Sequence, residues 1–152
     1  MITDLPTSYD AATGQLFGGK TPIICGCFLF INSCKCMAYD GGQWSFIASF
    51  NQPRVLAPSA TVTLSNGEEV MVVSGGSYES AGDLASVEAF DGQSWSLDKV
   101  APLPRQVSEH CMIKVDDSVL MTIGGVEFSH GITNSSNFYD GNTNSWTPGF
   151  NY

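Results

Sequence analysis

Residues 57–100, APSATVTLSNGEEVMVVSGGSYESAGDLASVEAFDGQSWSLDKV, carry the pattern that decides the fold. Residues 57–64 are apolar and β-branched, Ser65-Asn66-Gly67 is a turn sequence, and 70–74 is a continuous apolar run ending at Gly75-Gly76. That is a tight hairpin. Residues 84–90 then alternate up to Asp91-Gly92, a strong hairpin turn signal, and 95–100 return as a fourth strand. No stretch sustains an apolar i, i+3, i+4, i+7 face, and Pro or Gly interrupts every window long enough for a helix. The unit is predicted to be a four-stranded antiparallel meander.

Working outward, the same marks recur on both sides. Gly124-Gly125 follows Gly75-Gly76 by 49 residues, and Gly26 stands 49 before it with Cys27 in the second glycine's place. Trp44, Trp95 and Trp146 are spaced by 51 and 51; Tyr39-Asp40-Gly41, Phe90-Asp91-Gly92 and Tyr139-Asp140-Gly141 by 51 and 49; Pro53-Arg54 returns as Pro104-Arg105. Four markers sharing one period make an internal repeat, in which each unit needs its neighbours to bury its apolar face. The units run over about 13–50, 55–100 and 106–152, within one domain.

These residues resemble the kelch repeat, marked by a glycine pair closing the second strand, an aromatic on the third and a tryptophan opening the fourth. The resemblance covers nearly the whole chain, and Cys27 is the departure, placing the corner of unit one in doubt. It implies an all-β fold of three kelch-type four-stranded antiparallel blades, part of a β-propeller. Closed rings of this family usually hold five to seven blades, so a second copy, or further chain, is expected to complete the ring. Physically, glycine admits a close backbone approach or a positive φ, and tryptophan fills the wedge that twisted sheets leave between them. Trp44, Trp95 and Trp146 are therefore read as packing residues.

Composition narrows the partners. Of 152 residues, 15 are acidic and 6 basic, for a net charge of −9, which repels phosphate backbones and anionic headgroups. Nucleic acid and membrane surfaces are poor partners. No apolar run approaches the roughly 18 residues needed to span a bilayer, and residues 1–10 lack the basic start and apolar stretch of a signal peptide, so a soluble chain is expected.

Cys25, Cys27, Cys34 and Cys36 form two C-x-C pairs on the second and third strands of unit one. A hairpin centred on its loop sets Cys25 opposite Cys36 and Cys27 opposite Cys34, all on one face, with Cβ atoms about 4.5–5.5 Å apart. Two disulfides or four reduced thiols both satisfy this arrangement. A zinc tetrathiolate fits less well, because its knuckles turn the chain around the ion. Extracellular kelch-type proteins of animals pair a cysteine just before the glycine pair with one on the next strand. That resemblance implies a Cys25–Cys36 bridge, with Cys27–Cys34 second. In those proteins the partner of a cysteine placed like Cys111 commonly lies in the following blade; a free core cysteine is the equal alternative. Asn134-Ser135-Ser136 is a glycosylation sequon, and together with the cysteines it points to a secreted or extracellular setting, otherwise cytoplasmic.

No catalytic apparatus is legible. His110 and His130 have no carboxylate or second histidine at ligand spacing and are read as solvent-exposed, and no nucleophile elbow, phosphate loop or zinc helix occurs. Neither cofactor nor metal is expected. In a meander the first-to-second and third-to-fourth turns share one rim, here acidic with Asp40, Asn66, Glu68, Glu69, Asp91, Asp116, Asp117 and Asp140. The other rim carries the longer loops 28–33, 77–83 and 126–133. Phe28, Leu29, Phe30, Tyr78 and Phe128, with Arg54 and Arg105 nearby, are the candidate partner-binding residues, since aromatics and arginine on a rigid scaffold make a protein-binding surface. An equal reading of 28–31 is packing on an adjacent blade or subunit. The function expected is a non-catalytic module for protein–protein interaction or structural assembly, binding other proteins or copies of itself. The alternatives are a fragment of a galactose-oxidase-like copper enzyme, whose tyrosine and histidine ligands are not assembled here, or the substrate-receptor part of a cullin-type ubiquitin ligase.

Overall fold

The computed structural model describes residues 4–5, 7–9, 11–28, 33–78 and 82–149. The first sheet contains β1 (Ala11–Phe17), β2 (Thr21–Phe28), β3 (Ser33–Asp40) and β4 (Gln43–Ile47), paired antiparallel in chain order. The second is built from β5 (Ser59–Thr63) and β6 (Glu69–Ser74), followed, after a small hairpin of β7 (Ser77–Tyr78) and β8 (Gly82–Asp83), by β9 (Val87–Phe90) and β10 (Trp95–Ser96). The third repeats this plan with β11 (Cys111–Asp116), β12 (Val119–Ile123), the hairpin β13 (Val126–Glu127) and β14 (Gly131–Ile132), β15 (Ser136–Asp140) and β16 (Ser145–Pro148). The protein is all-β, with no helical residue among those described.

Three of the strands are shorter than the sequence pattern implies. β5 starts at Ser59 because Pro58 offers no amide to the ladder. β9 starts at Val87 because residues 84–86 turn their backbone elsewhere: Leu84 N–H donates to Gly76 O, and Ala85 O accepts from Leu103 N–H. β10 ends at Ser96, and Lys99 beyond it reaches back to Glu68 and Asp91 at 2.6 and 2.9 Å.

The sheets pack through their first strands, β1 on β5 and β5 on β11, which leaves two interfaces to fill. Between sheets one and two lie Ile23, Cys25, Cys27, Cys36, Phe50, Met71, Val73, Phe90 and Trp95. Between sheets two and three lie Val62, Val70, Val72, Met112, Leu120 and Tyr139, with Trp146 against them. Each tryptophan stacks on the aromatic of its own third strand: Tyr39–Trp44, Phe90–Trp95 and Tyr139–Trp146 have centroids 5.3, 5.2 and 5.1 Å apart. Trp95 and Trp146 also donate their indole N–H to the chain leaving the preceding sheet, at Ala48 O (2.9 Å) and Ala101 O (2.8 Å). The packing role expected of these residues follows from that geometry.

The cysteines stand as the loop-centred hairpin placed them, Cys25 opposite Cys36 and Cys27 opposite Cys34, and both pairs are disulfide-bonded. The departure at Cys27 has a structural consequence. In sheets two and three the second strand stops at glycines with left-handed φ, Gly75 and Gly76 (56°, 90°) and Gly124 and Gly125 (65°, 106°). In sheet one the ladder runs straight through Gly26 and Cys27 to Phe28, because a cysteine resists that conformation. No helix among the described residues is long and apolar enough to cross a membrane.

Two outcomes follow. A methyl at Gly76 would meet Val55 O at 2.6 Å and the Ala57 Cβ at 2.8 Å at φ +90°, whereas one at Gly67 (φ +81°) meets open space. Gly67→Ala should cost about 1–2 kcal/mol and Gly76→Ala about 1–3 kcal/mol more, read by urea unfolding. Replacing Cys25 and Cys36 together by alanine removes a bridge closing a separation of 11 residues. Loop-closure entropy gives about 2–3 kcal/mol, and hydrogen exchange should quicken in β1–β4 while β11–β16 keep their protection.

Candidate functional site

The two ends of the sheets differ chemically. At the end carrying the β1–β2, β5–β6, β9–β10, β11–β12 and β15–β16 turns, hydrogen bonds tie neighbouring sheets: Gly18 N–H donates to the Glu69 side-chain Oε1, Thr63 N–H to Asp117 O and Ser65 N–H to Gly141 O. Lys99 bridges Glu68 and Asp91 there. Hydrogen bonding to Glu68 first, then to Asp91, raises the Lys99 pKa, and the Ser94 N–H, Lys99 and Gln93 hold Asp91 well below the usual carboxylate range. This end is a solvated acidic surface.

The opposite end is built from the connectors between sheets and the small hairpins. Here Arg54, expected at a partner surface, is instead enclosed: its side chain and that of Glu88 are both 0% exposed and lie 3.0 Å apart. Arg54 donates from Nη1 to Gly75 O and Ser86 O, both at 2.9 Å, and from Nη2 to Ser86 Oγ at 3.1 Å. Glu88 also accepts from the Asn51 and Gln52 amides at 2.7 and 2.9 Å. Burial lowers the Arg54 pKa and the Glu88 carboxylate opposes that shift. This pair fastens the connector onto sheet two and is structural. Sequence reading missed Glu88, although a glutamate between Val87 and Ala89 in an otherwise apolar strand was the visible signal.

His110 is likewise buried rather than exposed. Its Nε2 lies 2.8 Å from Ser74 Oγ, which is also 3.6 Å from Met112 Sδ, while its Nδ1 has no partner among the described residues. Ser74 holds the ring at Nε2 in either tautomer, as acceptor from Nε2–H or as donor to the Nε2 lone pair. Burial pushes its pKa down to about 4.

The remaining predicted residues spread along this end. Tyr78 is half-buried on β7 and Phe28 half-buried against Tyr9, with centroids 5.9 Å apart; Leu29 and Phe30 lie outside the described residues. Phe128, in the β13–β14 turn, is 84% exposed, and Ile132 beside it is 90% exposed. Arg105 is 70% exposed and stands 3.5 Å from Glu127, whose side chain is 7% exposed and also faces His130 Nδ1 at 3.6 Å. Asn134 is exposed after β14, as a glycan acceptor must be, and Cys111 is exposed on β11. The structure thus gathers Arg105 and Phe128 with Glu127 and His130 about a surface hollow of about 360 Å³.

Beside it lies a cavity of about 270 Å³ whose lining includes Arg105, His110, Gly124, Glu127, Ser135 and Asn137. Among the described residues no cluster of three or more His, Cys, Asp or Glu side chains is arranged to hold a metal ion.

No protein-family model and no curated protein matches the sequence. Among solved structures, the fold is similar to one described as "Structure of YjhT", with a TM-score of 0.76 and 16% identity, over 99% of this chain and 53% of that one. The chain therefore spans about half the length of that structure.

The buried imidazole makes stability depend on pH with a defined sign. A histidine titrating near 4 when folded and near 6.5 when unfolded binds more protons unfolded, so stability falls as pH drops from about 6.5 and levels off below about 4. The loss attributable to His110 should total about 3 kcal/mol. Urea unfolding of His110→Gln at pH 7, 5.5 and 4 should lack that component.

Proposed function

We propose that this chain is a non-catalytic kelch-type β-propeller module, three blades of a ring, that binds other proteins in an extracellular assembly. The observation that carries the reading is the β13–β14 hairpin. It projects Phe128 and Ile132 almost fully into solvent from a base pinned by paired hydrogen bonds between Ser108 and Val126 (3.0 and 2.8 Å). A rigid loop presenting a large apolar tip beside Arg105 has the composition of an interaction hot spot.

Three further features support the architecture. The corner bonds repeat at 49 residues, Gly75 N–H to Ser86 O and Gly124 N–H to Ser135 O. The aromatic–tryptophan stack recurs in every sheet. Two sheet faces also await a neighbour. Trp44 has no carbonyl partner among the described residues where Trp95 and Trp146 each have one, and Ile113 and Val115 are about half exposed on the outer face of β11. A further blade, from the same chain or a second copy, covers them. Two disulfides suit an oxidising compartment.

Selection of displayed peptides on the purified protein tests the binding role. The wild type should enrich a defined set that Phe128→Asp/Ile132→Asp loses at least tenfold. Equal enrichment by the two proteins, or stoichiometric copper with oxidation of a primary alcohol, overturns it.

A further inference from the structure

The cavity beside Arg105 is the third-sheet counterpart of the place that Arg54 fills in the second. The equivalence comes from the backbone. Val55 bridges Ser77 as Ser108 bridges Val126, so the residue before the bridge is Arg54 in one copy and Val107 in the other. The Pro-Arg marker is out of step with this register, because Gln106 and Val107 separate Arg105 from the bridge whereas Arg54 adjoins it. The groups that receive Arg54 all have partners 49 residues on. Gly75 corresponds to Gly124 and Ser86 to Ser135, each pair joined by the same N–H···O bond. Glu88, opposite Val73, corresponds to Asn137, opposite Thr122.

Gly124, Ser135 and Asn137 line the 270 Å³ cavity, and Val107 at its edge is too short to fill it. The cavity wall also includes Glu127, 7% exposed, and His110, whose buried Nδ1 lacks a partner among the described residues. Carbonyl, amide and carboxylate oxygens give the lining several hydrogen-bond acceptors. Arg105 stands at the mouth, 70% exposed and 3.5 Å from Glu127.

The geometry points to a binding site for a guanidinium group: the cavity takes an arginine side chain from a protein partner, seated as Arg54 is seated in the adjacent sheet. This deepens the interaction reading and rests on it for the source of the arginine. A planar fork of N–H donors matches two carbonyls and an amide oxygen, which a lysine ammonium would not span.

The test uses N-acetyl-arginine amide against N-acetyl-citrulline amide, its neutral isostere, titrated into the full chain and followed by NMR. Saturable binding of the arginine probe, at least tenfold tighter than citrulline, with shifts at Gly124, Ser135 and Asn137, is expected. Asn137→Glu, which restores the carboxylate found at Glu88, should tighten it a further tenfold or so, a gain that a purely structural role would not produce. Val107→Arg should abolish it by filling the cavity from within. No saturable binding, equal binding of the two probes, or an affinity unmoved by Asn137→Glu overturns the proposal. A single amino-acid derivative reads this cavity alone, so its failure leaves peptide selection through Phe128 as a separate outcome.

Discussion

The structure depends on a close approach of backbone to backbone where the second strands of sheets two and three end. Gly76 donates its N–H to Val107 O at 2.9 Å, from the connector leaving sheet two, while the connector entering it presses Val55 O where a β-carbon would be. Two connectors therefore converge on one residue without a side chain. Buried peptide groups need partners, and here connectors and corners satisfy one another. Sheets two and three are held at a fixed spacing because the corner at Gly76 is shared between the chain arriving and the chain leaving.

Holding connectors in the interior brings polar groups with them, and the three sheets deal with this differently. Sheet two uses a buried ion pair whose oxygens and most nitrogens are hydrogen-bonded: Glu88 receives two backbone amides as well as Arg54. Such a pair adds little net stability over apolar packing, but losing one partner alone strands a charge and costs about 3–5 kcal/mol. Its value is in fixing where the connector lies. Sheet one, lacking the second glycine, continues its ladder and ties it with Cys27–Cys34 and Cys25–Cys36, so register is held by covalent bonds. Sheet three keeps the glycine corner and dispenses with the pair.

The all-β plan and the positions of the fourth strands were legible because glycine, tryptophan and Asp-Gly turns act locally, each through a conformational or volume requirement of its own residue. The facing of the four cysteines was legible for a similar reason, since antiparallel register makes paired residue numbers share a constant sum. Arg54 and His110 were misread because an arginine or histidine is usually exposed, and their burial depends on partners 21 to 36 residues away, such as Gly75 O, Glu88 and Ser74 Oγ. The Pro-Arg marker was real as sequence, yet two intervening residues moved Arg105 from the interior to the surface. A repeat seen in letters fixes the frame but not which side chain occupies each notch.

Comparison of the copies then amounts to a paired substitution. Where sheet two has Arg54 and Glu88, sheet three has Val107 and Asn137, and the two changes are coupled by electrostatics. A glutamate at 137 without its arginine would be a carboxylate lacking its cation, and an arginine at 107 facing an amide would lose its counter-charge; either alone costs more than both together. The joint change removes the buried ion pair and leaves a notch in which Gly124, Ser135 and Asn137 stand where Gly75, Ser86 and Glu88 hold Arg54. Packing alone would have filled such a space, because an unfilled volume beside buried valine and leucine costs contacts that a larger side chain would restore. The unfilled notch lies where the third copy departs from the second, beside the exposed tip of Phe128 and Ile132.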